Sequence, residues 1–273
     1  MKRLINQHPG RTLRLSLSML PFILILLVYM SASAARLAEN PDDKLLPSLN
    51  TMAETVQQLA TEPNRRTGEL VLWSDTAASL KRLLTGVGIS MLIGLTAGIA
   101  TGLIPFTGAT LSPLIKVLSM IPPLALLPVL FIVFGVGELS KVVLIIFGVA
   151  PFITRDVQQR VEELPPELLI KAQTLGASTW QLTLRVVLPQ VLPRLFDATR
   201  LALGSAWLFL IASEAIAATD GLGYRIFLVR RYLDMEVILP YVAWITLLAY
   251  LLDLSLRLLN RVAFPWYGAG AKK

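Results

Sequence analysis

An all-α integral membrane protein with six membrane-crossing helices is the fold class this sequence predicts, on three observations. Of its 273 residues 55% are hydrophobic and only 16% charged, whereas soluble domains carry about 25% charged residues. The mean hydropathy is +0.65, which leaves too little polar surface to cover a soluble core of this size. The apolar residues also gather into runs close to the roughly 20 residues that cross a bilayer as a helix.

Taken in order, the first span is Leu15–Ser31. Basic residues precede it and Ser31-Ala32-Ser33-Ala34-Ala35 follows. Secretory signals with a small-residue cleavage site share that pattern, and a retained helix is the preferred reading. Residues 1–35 thus form a tail and first helix, and residues 36–81 a loop outside the membrane. Within the loop, Pro47-Ser48 starts a short amphipathic helix with Leu49, Met52, Val56 and Leu59 on one face. The break Pro63-Asn64-Arg65-Arg66-Thr67-Gly68 ends it.

The membrane core, residues 82–262, opens with the span Leu83–Ile104. Here Gly94, Gly98 and Gly102 recur every four residues, a spacing that lets helix backbones pack closely. Next comes Leu111–Phe134, broken near one end by Ile121-Pro122-Pro123. Prolines free carbonyls that are tolerated when buried or lining a cavity. Val142–Ile153 is short and spans if Lys141 and Arg155 reach the two interfaces along their alkyl stems. Leu195–Ala218 and Val237–Leu259 complete the six, and residues 263–273 form a tail.

Basic residues give the orientation. Lys2, Arg3, Arg11 and Arg14 precede the first span, and Arg257, Arg261, Lys272 and Lys273 lie at the other end. Both termini therefore read as cytoplasmic. Six spans place residues 155–194 on that side too, with Arg155, Arg160, Lys171, Arg185 and Arg194. Arg225, Arg230 and Arg231 run against the bias, with Asp220, Asp234 and Glu236 close by.

Much chemistry is excluded at this point. The chain has no cysteine, hence no disulfide and no thiolate metal site. Its one histidine, His8, lies in the basic tail. The net charge of +7 reads as the positive-inside bias rather than a nucleic-acid surface. No G-x-x-x-x-G-K-S/T phosphate loop is present, so the chain is no ATP motor. It shows no internal repeat of the kind that builds tandem secondary carriers.

The most informative stretch is Glu167–Pro193, a polar, helix-forming segment between two apolar runs. Pro165-Pro166 ends what precedes it, Glu167 complements the dipole of the next helix, and Gly176 permits a break. A second short helix is expected from Ser178 to Leu188, stopped by Pro189 and Pro193. Two short helices joined at a glycine form a knob that can fill a cleft on a partner; an amphipathic helix on the lipid surface is the plain alternative.

Glu167, then Ala172, then Leu175-Gly176-Ala177, then Pro189 resembles the EAA loop of permease subunits of ATP-binding-cassette (ABC) importers. The likeness extends from about Ser79 to Trp266, through SLKRLLTGVGIS, MIPPLALLPVLFIVFGVGELSK and RLALGSAWLFLIASEAIAATDGLGY. That order is similar to the nitrate, sulfonate, taurine and bicarbonate importer permeases. It departs from the ideal loop in reading Glu167-Leu168-Leu169 where the family has Glu-Ala-Ala.

The resemblance implies the type I importer permease fold, a five-helix core with one added N-terminal helix, in the bacterial inner membrane. It also implies a homodimer, an ABC ATPase subunit that holds ATP and Mg, and a periplasmic or lipid-anchored substrate-binding protein. The chain itself would bind no cofactor. The implied cargo is a small anion; details such as LWSDTAASLKRL resemble a subgroup associated with urea- or guanidine-carboxylating systems, for which a small nitrogen compound would fit.

Charges inside spans are costly and normally face protein, water or each other. Asp197 and Arg200 at i,i+3, and Asp253 and Arg257 at i,i+4, suit structural pairs. Glu214 has no partner on its own helix, so it is a candidate gate, a dimer contact, a cation site, or a partner for the helix carrying Arg225. The candidate pathway set is Pro122, Pro123, Trp207, Ser213 and Glu214. A proton-coupled carrier or channel using Glu214 is the alternative function, and it has no use for the knob. An intramembrane hydrolase is weaker still, because Asp197 and Asp253 each have an arginine one turn away.

Overall fold

The computed structural model describes residues 10–41, 43–64 and 68–269. His8, Lys2, Arg3, Lys272, Lys273 and Arg65-Arg66-Thr67 lie outside the described residues. Among the described residues all regular elements are helical, with one isolated antiparallel bridge between Pro63 and Leu70.

Helix α1 (Arg11–Glu39) exposes almost all of its apolar surface. It meets the rest near its end, where Tyr29 donates to Pro47 O (2.7 Å), Ser33 donates to Leu46 O (2.9 Å), and Arg36 pairs with Asp43 (2.6 Å). Helix α2 (Leu49–Thr61) starts at Ser48, whose hydroxyl accepts from Thr51 N. Its Val56 and Leu59 pack toward the core.

Helix α3 (Val71–Leu103) begins well before the expected Leu83. The apolar-run criterion stopped at Arg82 because it treats charge as a boundary; here Asp75 and Arg82 are buried and paired. Helix α4 (Pro105–Leu118) follows almost without a loop, then a 3-10 turn (Pro123–Leu126) and α5 (Leu127–Phe134). The two halves are bent by 82°, so the expected span Leu111–Phe134 is a broken one. The break falls near its middle, because α4 already starts at Pro105.

Helix α6 (Glu138–Glu162) is the innermost: Leu144, Ile145, Ile153 and Val157 are completely buried. Lys141 does not reach out to an interface as expected. It is buried, and its Nζ lies 2.9 Å from Glu138 Oε1, because a carboxylate one turn away satisfies it without leaving the protein. Next come α7 (Pro166–Thr174), α8 (Thr179–Leu182), a π turn (Thr183–Val187) and α9 (Leu188–Ala217).

Contrary to expectation, Pro189 and Pro193 do not stop this helix. Pro189 sits in the first turn of α9, straight after the π turn that widens the backbone there, and Pro193 lies inside the helix. A local π adjustment removes the clash a proline ring makes with the preceding turn. Helix α10 (Leu222–Val229), a 3-10 turn (Arg230–Tyr232), α11 (Met235–Ala263) and α12 (Pro265–Ala269) complete the chain.

Among the described residues four helical runs are long and apolar enough to cross a membrane alone: α1, α3, Thr179–Ala217 and α11; the bent α4–α5 pair makes a fifth. The expected fourth span, Val142–Ile153, lies inside α6, whose ends carry charge.

The glycine stripe explains how α3 meets α6. A Cβ on Gly94 would lie 2.4 Å from Ile153 Cγ2, one on Gly98 2.5 Å from Val157 Cγ1, and one on Gly102 2.7 Å from Val161 Cβ. The matched order shows that the two helices run in the same direction. The stripe therefore serves packing within this chain. Gly98→Ala is expected to lower stability by about 1–3 kcal/mol through overpacking, read as a drop in the melting temperature in detergent. Gly88→Ala, which has open space around its Cβ, is the control and should not lower it.

Candidate functional site

Three features stand out, and the first is an ionic network where α3 begins and α9 ends. Asp75, Ser79 and Arg82 share one face of α3, at helical spacings of four and three. The Arg82 guanidinium is 3% exposed and reaches three carboxylates. It donates to Glu138 at 2.5 and 2.7 Å, to Glu214 Oε1 at 2.8 Å, and to Asp220.

Glu214 is fully buried and also accepts from Ser79 Oγ (2.8 Å) and Gly223 N (2.9 Å). Its partner is thus Arg82 of α3, while the helix carrying Arg225 supplies only a backbone N–H. Arg225 instead donates to Asp75 (2.8 Å), which accepts as well from Gly221 N and Tyr241 Oη. Burial is the largest single influence on Arg225 and works against its charge, but the Asp75 hydrogen bond and the Coulomb attraction of Asp75, Tyr241 and Tyr224 together hold the pKa above its usual value. The network ties α3, α6, α9, α10 and α11 together at one end.

Gly221 has φ +111°, and a Cβ there would lie 2.6 Å from the Glu214 carboxyl and 2.8 Å from Arg82 Nη1. Only glycine lets the α9–α10 turn close over the ion pair.

The second feature is a cavity of about 600 Å³ between α4 and α6, at the bend. Ser112 and Lys116 of α4 and Ser119, its C-cap, line one side; Phe147, Gly148 and Arg155 line it from α6. Of the expected pathway residues, Pro123 lines this cavity and Pro122 sets the bend beside it. Trp207, Ser213 and Glu214 are elsewhere, buried in α9. The Ser213 hydroxyl donates to Leu210 O (2.8 Å), and the Trp207 indole N–H has no partner among the described residues.

The third is a projection at the other end of the bundle. Helix α7 ends in a left-handed glycine, with Gly176 at φ +83°. Gly176 N donates to Gln173 O (2.9 Å) and Ala177 N to Ala172 O (3.0 Å), the pair of bonds that closes a helix around such a glycine. One residue later Ser178 opens α8 through a capping box with Gln181. This places Glu167 in the first turn of α7, and Ala172, Leu175, Gly176 and Ala177 at its tip. Leu175 is 88% exposed and Trp180 69%. Pro189 lies at the root.

Near the same end, Arg200 pairs with Asp197 (3.3 Å), as its spacing suggested, but more closely with Asp253 of α11 (2.8 Å). Asp253 also holds Arg257 (2.8 Å). Arg82, Asp75, Ser79 and Glu138 were missed as site residues. The signal lay in the polar stripe 75, 79, 82, set aside as loop.

The described residues thus combine long apolar helices, a cavity at a broken span and an exposed helix–glycine–helix projection. Residues 90–267 match the family described as binding-protein-dependent transport system inner membrane component, and the chain belongs to that family. It is 38% identical over 200 residues to the taurine transport system permease protein TauC of Escherichia coli, covering 73% of each chain. It is 29% identical over 210 residues to the nitrate import permease protein NrtB of Synechococcus elongatus, covering 76% of this chain and 75% of that one.

In fold it resembles a chain of the inward-facing MetNI methionine ABC transporter, with a TM-score of 0.62 at 24% identity, covering 70% of this chain and 95% of that one. The chain is therefore an ABC importer permease in a membrane, and ATP hydrolysis belongs to a separate ATPase subunit. The family works with an ATPase and a substrate-binding protein.

Proposed function

We propose that two copies of this chain form the pathway of an importer for a small anion of the sulfonate class, driven through the α7–α8 projection. The observation that carries the coupling role is the pair of exposed apolar side chains, Leu175 and Trp180, held on either side of Gly176. Apolar groups offered this way on a rigid turn suit a cleft on a partner. The cargo class rests on the relatives, named for taurine and nitrate transport.

In this reading the chain crosses the bacterial inner membrane six times, with α6 as the fourth span and both termini in the cytoplasm. The projection then faces the ATPase, while the Arg82 network and α10 face the binding protein. ATP-driven closure of the ATPase pair moves the projections and switches access to the pathway, because the partners bind the two states with different affinity. ATP and Mg sit on the ATPase; no residue here is assigned to them. Glu214 serves as a structural residue. Its oxygens already receive Ser79, Arg82 and Gly223, which disfavours both the cation site and the proton-coupled carrier.

Tagged protein purified from its native membrane should bring down an ATPase subunit, identified by mass spectrometry. Uptake of labelled taurine by the reconstituted complex should require ATP and the binding protein. Recovery of the chain alone, with uptake surviving ATP depletion, would overturn the reading in favour of a carrier.

A further inference from the structure

We infer that the cavity between α4 and α6 is a transit site for the anionic head of the cargo, held by Lys116 and Arg155. This rests on the anion-importer reading above. The cavity, about 600 Å³, falls in the range of ~300–1,000 Å³ usual for small-molecule sites. It lies beside the 82° bend between α4 and α5, on the half of α6 that leads toward the projection.

The charges in its wall are not equivalent. Its two carboxylates are directed along α6 itself: Asp156 lies 3.9 Å from Arg160, and Glu162 accepts from Gln158 Nε2 at 2.8 Å. Among the described residues, neither of its two cations forms an ion pair with a carboxylate. Arg155 donates one Nη1–H to Ser119 Oγ at the C-cap of α4 (3.1 Å), which turns the guanidinium across the cavity and leaves its other donors open. Lys116 stands in the last turn of α4, one turn before the C-cap Ser119, and makes no ion pair among the described residues. Ser112 donates to Gln158 Oε1 (3.2 Å) from the same helix face.

The wall thus presents an ammonium and a planar guanidinium fork; the hydroxyl protons of Ser112 and Ser119 are already given to Gln158 Oε1 (3.2 Å) and Lys116 O (2.8 Å). A sulfonate, with three acceptor oxygens, matches that donor set; a guanidinium fork binds two such oxygens side by side. Phe147 and Pro151 give an apolar floor for a short alkyl chain. Both cations are solvent-accessible, which keeps the hold weak. A transit site needs that, since it must release what it takes in.

The test uses the whole importer, with its ATPase and binding protein, in proteoliposomes with labelled taurine, ethanesulfonate and nitrate as probes. Lys116→Gln and Arg155→Gln should each lower the maximal uptake rate about tenfold or more, the size of a lost charge-assisted hydrogen bond. KM should stay within twofold, because the binding protein sets it. Binding-protein-stimulated ATP hydrolysis should also stay within twofold, and Lys116→Arg should restore most of the rate.

Wild-type uptake rates in both glutamine variants would overturn the transit site and leave the importer reading intact. Loss of ATP hydrolysis along with uptake would give the pair a structural role and overturn it too. A wild-type complex that moves none of the three anions would sink the anion reading itself.

Discussion

Arg82→Met is expected to destabilise the protein by about 3–5 kcal/mol, the cost of leaving a buried ion-pair partner without its counter-charge. Three carboxylates converge on this guanidinium, and Glu214 is completely buried while Glu138 and Asp220 retain access to solvent. The loss therefore falls mainly on Glu214. Ser79 and Gly223 would still donate to it, but neither carries charge. The variant should melt well below the wild type in detergent, or fail to accumulate in the membrane.

The double variant Arg82→Met, Glu214→Leu separates a charge effect from simple loss of packing. Replacing both members of a buried pair by apolar groups is often neutral. The double variant should thus recover about 1–3 kcal/mol relative to the sum of the single changes, the range seen for directly contacting residues. An Arg82→Met protein that melts like the wild type would show that the network stabilises nothing.

How this cluster escaped a reading of the sequence is instructive. Hydropathy finds a span by its run of apolar residues and treats Asp75 and Arg82 as the edge of a loop. Those two charges are inside α3 because helices α6, α9 and α10 bring them partners more than fifty residues away. Pairing at such distances leaves no local trace except the one-face spacing of residues 75, 79 and 82. Lys141 misled for a different reason: a lysine at a helix end looks ready to reach solvent, but a local partner, Glu138 one turn away, removes the need.

Local chemistry was far more legible. Gly94, Gly98 and Gly102 announced a close helix contact, although spacing alone did not name α6 as the partner. Pro122 and Pro123 announced a break, and the 82° bend is there. Pro189 was misread because a proline stops a helix only when the backbone around it stays α. The π turn Thr183–Val187 supplies the alternative, and no residue type in TLRVV encodes it plainly. Of the pathway set, the prolines lie at the cavity while Trp207, Ser213 and Glu214 do not line it. Glu214, with Ser213 beside it, was chosen for polarity within a span, which marks internal packing as readily as a channel wall.

The largest functional effect is expected at Gly176, and its cause is conformational. A Cβ added there meets nothing within 4 Å, yet φ is +83°, so bulk within the chain is not the obstacle. A β-branched residue forced into the left-handed region costs about 1–2 kcal/mol, and relaxing it opens the two bonds that close α7 around the glycine. Leu175 and Trp180 would then lose their fixed relation. Gly176→Val should lower uptake at least tenfold with membrane insertion unchanged and the melting temperature lowered by no more than a few degrees. Gly176→Asn, as large but tolerant of left-handed backbone, should keep uptake within about threefold.

Leu175→Asp tests the contact itself. The side chain is almost fully exposed, so the change cannot disturb the fold. A buried apolar anchor at an interface is typically worth 2 kcal/mol or more, about 30-fold in affinity. The ATPase should therefore be lost from the purified complex. If Asn and Val behave alike at Gly176, backbone handedness is not what the projection requires. If Leu175→Asp retains the ATPase, the projection is not where the motor docks.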